Sequence, residues 1–229
     1  MTQAEANTTP VTVDIWSDVM CPFCWMGDRH LELALAEFAH RDDVKITYHS
    51  YQLMPDYPEG QPLPSAEAVA KQKGVPVEQF QQMNAGVAAR GAEVGLDYNF
   101  DQALTVNSRR AHRLSHFAES NGVQHEVIQN LFKAHFANGQ NVEDREVLAD
   151  LAADAGLDRE EALAHMDNEE LDRAVQADIN RAQQIGIQGV PFFVFNNKYA
   201  VSGAQPKEVF QQALDTVWNE HEQARDTAQ

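Results

Sequence analysis

Two side chains in this chain carry obvious chemistry, Cys21 and Cys24, and they are its only cysteines. They stand in a C-x-x-C arrangement with Pro22 and Phe23 between them. Such spacing lets both sulfurs meet on the first turn of a helix, where a dithiol can close to a disulfide and reopen. There the first sulfur faces unpaired backbone N–H groups and the positive end of the helix dipole. Both favour the thiolate, which is the nucleophile. Pro22 suits the first helical position, where no N–H donor is needed. Half of a structural zinc site has the same spacing, but such a site takes four nitrogen or sulfur ligands. There is no second cysteine pair, and His112 and His116 lie far along the chain at helical spacing. The remaining reading is two inert thiols.

The elements around the pair say what must position it. Val11 to Trp16 alternates, with Val11, Val13 and Ile15 on one face, and reads as a strand. Asp14 lies inside it, although aspartate is depleted in strands. It reads either as an edge carboxylate in water or as a partly buried acid that moves the proton of Cys24. Residues 22–39 carry a helical stripe of Leu31, Leu35 and Phe38, and residues 44–51 alternate again. A β–α–β unit with this connection implies two parallel strands. After a proline-rich loop, the pattern from Ser65 to about Ile185 is helical throughout, in six or seven segments closed by glycines. Residues 190–195 and 199–203 then form a hairpin about Asn196-Asn197. A last helix opens at Gln205-Pro206, and the polar tail after Trp218 is expected to fray. The fold class is α/β: a four-stranded mixed sheet with helices on its faces and a large all-helical insertion between the second and third strands.

The length of 229 residues fits one ordinary domain or two small ones. A net charge of −18 disfavours nucleic acid, whose phosphates need clustered Lys and Arg. The acids concentrate in residues 143–180, thirteen against three arginines, as a solvated face or a docking surface for a basic partner. The sequence has no apolar run long enough to span a membrane as a helix. Residues 1–10 show neither a basic nor an apolar leader segment. They read as a disordered lead on a cytoplasmic protein, where a disulfide is usually transient and catalytic.

The C-P-F-C site after a strand, the long insertion and Gly189-Val190-Pro191-Phe192-Phe193 together resemble the thioredoxin-fold proteins of the DsbA family. Two stretches, residues 16–25 and 107–114, resemble its FrnE-like branch, related to 2-hydroxychromene-2-carboxylate isomerases and kappa-class glutathione transferases. The resemblance implies a thioredoxin-fold domain made of residues 11–64 and 186–229, with residues 65–185 as a cap domain. It implies a cis Pro191 facing the redox pair, with the Val190 backbone, Pro22 and Phe23 meeting the substrate. Arg109 and His112 are expected in the cap near the cysteines. Two departures matter. The isomerase and transferase relatives typically carry serine where this chain has Cys21, and DsbA carries histidine where it has Phe23. The complete pair therefore points to a thiol–disulfide oxidoreductase acting on protein or small thiols and disulfides. No metal or organic cofactor is expected; glutathione is admitted as a co-substrate and a homodimer is left open. The rival readings are a glutathione-dependent isomerase or transferase of small aromatic compounds, and a holdase or docking module.

Overall fold

The computed structural model describes residues 10–227, so the lead expected over residues 1–10 falls almost wholly outside it. The chain opens with β1 (Val11–Ser17), α1 (Pro22–Glu37) and β2 (Val44–Ser50). The insertion follows as β3 (Leu63–Pro64), α2 (Ser65–Lys73), α3 (Val77–Glu93), β4 (Leu104–Thr105), α4 (Arg109–Ser120) and α5 (Gln124–Phe132). It continues through a π-helical turn at Lys133–Ala137 into α6 (Arg145–Asp154), α7 (Arg159–His165) and α8 (Glu169–Gln184). Then β5 (Phe192–Phe195), β6 (Tyr199–Ser202) and α9 (Lys207–Thr227) complete the fold.

The main sheet has the order β2-β1-β5-β6. β1 runs parallel to β2, as the β–α–β connection requires, and antiparallel to β5. The β5–β6 hairpin turns on Asn196 and Asn197, at φ of +49° and +53°. Asparagine tolerates that left-handed region better than other side-chain-bearing residues. Val13 and Ile15 turn toward α1 and α9, where the rings of Phe193 and Phe210 meet at 4.8 Å, both fully buried. Each such aromatic contributes about 1.5–3 kcal/mol by leaving water. The opposite face carries Trp16, packed with Ala182 and Ile187 from α8 and the loop after it.

The insertion is not wholly helical, contrary to the expectation. Leu63 pairs with Thr105 and Pro64 with Leu104 in a short antiparallel ribbon. Two residues a side are too few to show a period of two. The far end of α9 also differs, since it is helical to Thr227 rather than frayed after Trp218. Glu220 holds it to the hairpin, accepting from Lys198 at 2.6 Å and from the Tyr199 hydroxyl. Along β2, Gln124 of α5 takes the place of a further strand. Its amide accepts from Tyr48 N–H at 3.0 Å and donates to Tyr48 C=O at 2.9 Å.

Candidate active site

β1 ends at Ser17, and residues 18–21 make the turn into α1. Cys21 N–H bonds to Asp18 C=O at 2.9 Å, and Cys24 N–H to Cys21 C=O at 3.0 Å. Cys21 is thus the residue that caps α1, with Pro22 in the first turn and no side chain capping the free N–H groups. Neither cysteine is in a disulfide. Cys24 is buried, and burial, together with the neighbouring Cys21, pushes its thiol well above the usual range. The Asp18 backbone and the Ser17 hydroxyl pull the other way. Cys21 is itself only 3% exposed, although a sulfur at a helix N-terminus is commonly open to solvent. What covers it is folded from elsewhere in the chain, and a helix-terminus argument does not see it.

The Val190–Pro191 bond is cis, as the resemblance implied. The Cys21 thiol donates to Val190 C=O, with sulfur and oxygen 3.6 Å apart. Gly27, three residues after Cys24, lets this loop approach α1. A Cβ there would stand 3.0 Å from Pro191 Cγ and 3.1 Å from Phe193 Cζ. Beside the loop lies an open hollow of about 410 Å³ lined by Gly186, Gln188, Val190, Pro191, Phe192 and Ser202.

The insertion reaches the pair through residues that the sequence did not single out. Tyr98 donates from its hydroxyl to Pro22 C=O at 2.6 Å. Burial, then the two cysteines, push this phenol well above its usual value. Its ring edge meets Trp25 at 5.0 Å. Arg90 of α3 lies over the Phe23 ring, 5.4 Å from its centre. Asp18, fully buried, shapes the turn: Oδ1 accepts from Met20 N–H at 3.2 Å and Oδ2 from Leu53 N–H at 2.7 Å. His112 from α4 brings Nε2 to 3.4 Å from Asp18 Oδ1, without a formed hydrogen bond. His112 is therefore at the site, behind the turn. An aspartate that accepts from the backbone two residues on is a common turn former, and that signal could have found Asp18.

Two expected site residues lie elsewhere. Asp14 shares a face with Trp16, not with Val13 and Ile15, so the sheet separates it from the cysteines. It accepts from His49 Nε2 at 2.8 Å, and the other nitrogen of His49 meets Asp178 Oδ1 at 2.9 Å. Arg109 spends its guanidinium on Asp172, at 2.8 and 2.9 Å, and on Gln52, joining α4 to α8. Neither side chain acts on the thiolate by contact. Among the described residues one cluster has metal-ligand spacing: Asp28, Glu32 and His125, within 4.8 Å of one another. Tyr48 and Gln129 already donate to Asp28, and Arg29 to Glu32. Burial raises the Asp28 carboxyl to about 6. Neither sulfur belongs to that cluster.

A dithiol on a helix cap, facing the residue before a cis proline, sits on a mixed four-stranded sheet. Residues 12–215 match the model of the DSBA-like thioredoxin domain. The chain belongs to that family. A probable DsbA oxidoreductase from Streptomyces coelicolor is 37% identical, with 92% of this chain and 91% of that one covered and a TM-score of 0.86. The cytosolic disulfide reductase DsbM from Pseudomonas aeruginosa shares the fold at 18% identity, covering 93% and 98% with a TM-score of 0.59. A 2-hydroxychromene-2-carboxylate isomerase does so at 15% identity, covering 93% and 98% with a TM-score of 0.66. Family membership makes the chain DsbA-like and, in general terms, a redox enzyme. No helix among the described residues is long and apolar enough to cross a membrane.

Proposed function

We propose that the chain exchanges thiols and disulfides through a mixed disulfide at Cys21. The Cys21 thiolate attacks one sulfur of a substrate disulfide and expels the other as a thiolate. Cys24 then loses its proton and attacks Cys21, closing the internal disulfide and releasing the second substrate thiolate. The substrate gains two electrons and the dithiol loses two; the opposite direction runs the same steps backwards. The observation that carries this reading is the approach of Cys21 to Val190 C=O beside Pro191. It sets the nucleophile against a backbone edge whose residues Val190 and Pro191 also line an open hollow.

The dithiol itself carries the electrons in this reading, with glutathione as an admitted co-substrate and the FrnE-like branch as the relationship. The substrate meets Pro22, Phe23, Val190 and Pro191, and His112 supports the turn from behind. A cytoplasmic setting belongs to this reading, supported by the fold shared with the cytosolic disulfide reductase DsbM. The experiment is mass spectrometry of the protein after titration with a mild oxidant. Loss of both free thiols to one internal disulfide is the expected result. A glutathione-dependent isomerase would keep two thiols through turnover, and a holdase would keep full activity as the Cys21→Ser/Cys24→Ser double variant.

A further inference from the structure

We infer that Arg90 selects substrates that carry a carboxylate beside the reacting sulfur, and that the preferred class is a small anionic thiol or disulfide. The inference rests on the oxidoreductase reading above. A chain of net charge −18 repels anions on average, so an anionic substrate needs a local cation at the mouth of the site. Eight of the eleven arginines are engaged in ion pairs. Arg90 has no carboxylate partner among the described residues, and it is exposed. Yet it is not placed at random on the surface. Its guanidinium rests 5.4 Å from the centre of the Phe23 ring, within cation–π range, and Phe23 is the residue directly before Cys24.

The arginine is also held there from below. Gly91 follows it, and a Cβ on Gly91 would fall 2.3 Å from the Tyr98 ring. The bare backbone at that point admits Tyr98, which bonds Pro22 on the other side of Phe23. Burial and the two cysteines raise the Tyr98 phenol, and the charge of Arg90 opposes them. One free cation thus stands over the active turn on a fixed helix. It can offer two parallel N–H donors to a carboxylate, a geometry lysine lacks. The near-closure of Cys21, at 3% exposed, favours a slender ligand over a folded protein surface.

The test is single-turnover reaction of the dithiol protein with three small disulfides of similar length: dithiodipropionate, bis(hydroxyethyl) disulfide and cystamine. Rates are taken relative to those with a free model thiol under the same conditions. The expected result is that Arg90→Gln lowers the anion-to-neutral rate ratio about two- to fivefold, that Arg90→Lys retains part of it, and that salt erodes it. The neutral disulfide should react unchanged in all three proteins. Equal slowing of all three disulfides in Arg90→Gln would assign the arginine to the thiolate and overturn the inference; so would no change at all. A peptide disulfide with Asp beside the cysteine, compared with its Asn counterpart, is the second arm. An Arg90-dependent preference seen only there would overturn the small-molecule assignment. Failure of the neutral disulfide to react with wild-type protein would remove the oxidoreductase reading itself, and this inference with it.

Discussion

The hydroxyl of Tyr98, in the insertion, donates to the carbonyl oxygen of Pro22, between the two cysteines, at 2.6 Å. The insertion therefore grips the active turn by its backbone, whatever side chains the turn presents. Tyr98→Phe removes only that bond. A net cost of about 1 kcal/mol in stability is expected, and Cys21 should alkylate several-fold faster as the turn loosens. Gly91→Ala should give a larger effect of the same kind, because its new methyl would overlap the Tyr98 ring. An alkylation time course on the three proteins, read by mass spectrometry, checks both. Unchanged rates would mean that Tyr98 does not restrain the turn.

Gly27→Ala tests the contact between α1 and the Val190–Pro191 loop. The added Cβ would crowd Pro191 and Phe193 at about the closest approach that real contacts allow. Overpacking of this sort costs about 1–3 kcal/mol. Urea denaturation should show that loss. Slower single-turnover exchange should accompany it as Val190 C=O moves off Cys21. A variant of wild-type stability and rate would show that the loop yields freely.

Asp18→Asn keeps one acceptor oxygen but replaces the other with an N–H group. Either the Met20 or the Leu53 N–H then loses its partner in a buried place. The expected cost is about 1–3 kcal/mol, with Cys21 and Cys24 becoming more alike in reactivity as the turn relaxes. Equal loss of stability with the cysteine reactivities untouched would make Asp18 a purely structural residue.

The pH dependence of stability should be set in part by His49, His116 and Asp178, which fasten α8 and α4 to β2. His116 Nε2 lies 3.0 Å from Asp178 Oδ2, and His49 Nδ1 lies 2.9 Å from Asp178 Oδ1. Burial works against the charged imidazoles, but their hydrogen bonds to Asp178, Asp14 and Glu119 outweigh it, and both rise to about 9. Groups raised on folding stabilise fully below their unfolded value, near 6.5. That contribution fades as the pH rises through 9. Because the two rings share one carboxylate, a loss of about 2–3 kcal/mol in total is expected between pH 6.5 and 10. Burial would raise the Asp178 carboxyl, but the same bonds outweigh it and hold the group well below its usual range, so its share is present above about pH 4 and lost in stronger acid. Urea titrations at several pH values, with Asp178→Asn as the control, measure the difference. A parallel decline in the control would remove this network as its source.

The redox pair, the Val190-Pro191 loop and the β–α–β, β–β–α frame were legible in the sequence because each rests on neighbours in the chain. A C-x-x-C turn, a period of two and an Asn-Asn hairpin turn are local signals. The residues that complete the site are not local. Tyr98 and Arg90 reach the turn only because the insertion folds back over it. Arg109 sits on a helix that does approach the site, yet the acidic face of α8 captures it first. Asp14 shows a subtler limit. Alternation put it correctly on the face opposite Val13 and Ile15, but alternation does not say which face α1, and with it Cys24, will cover.

The pairing of Gln124 with both backbone groups of Tyr48 has a consequence for how copies of this chain can meet. An unpaired strand at the rim of a sheet is a template on which a second chain can grow. Here the β2 rim is occupied at its middle by a side chain rooted in a helix, so an incoming strand finds its central rung already taken. The template that remains on this sheet is β6, at the other end. A sheet continued across two copies would have to be built there.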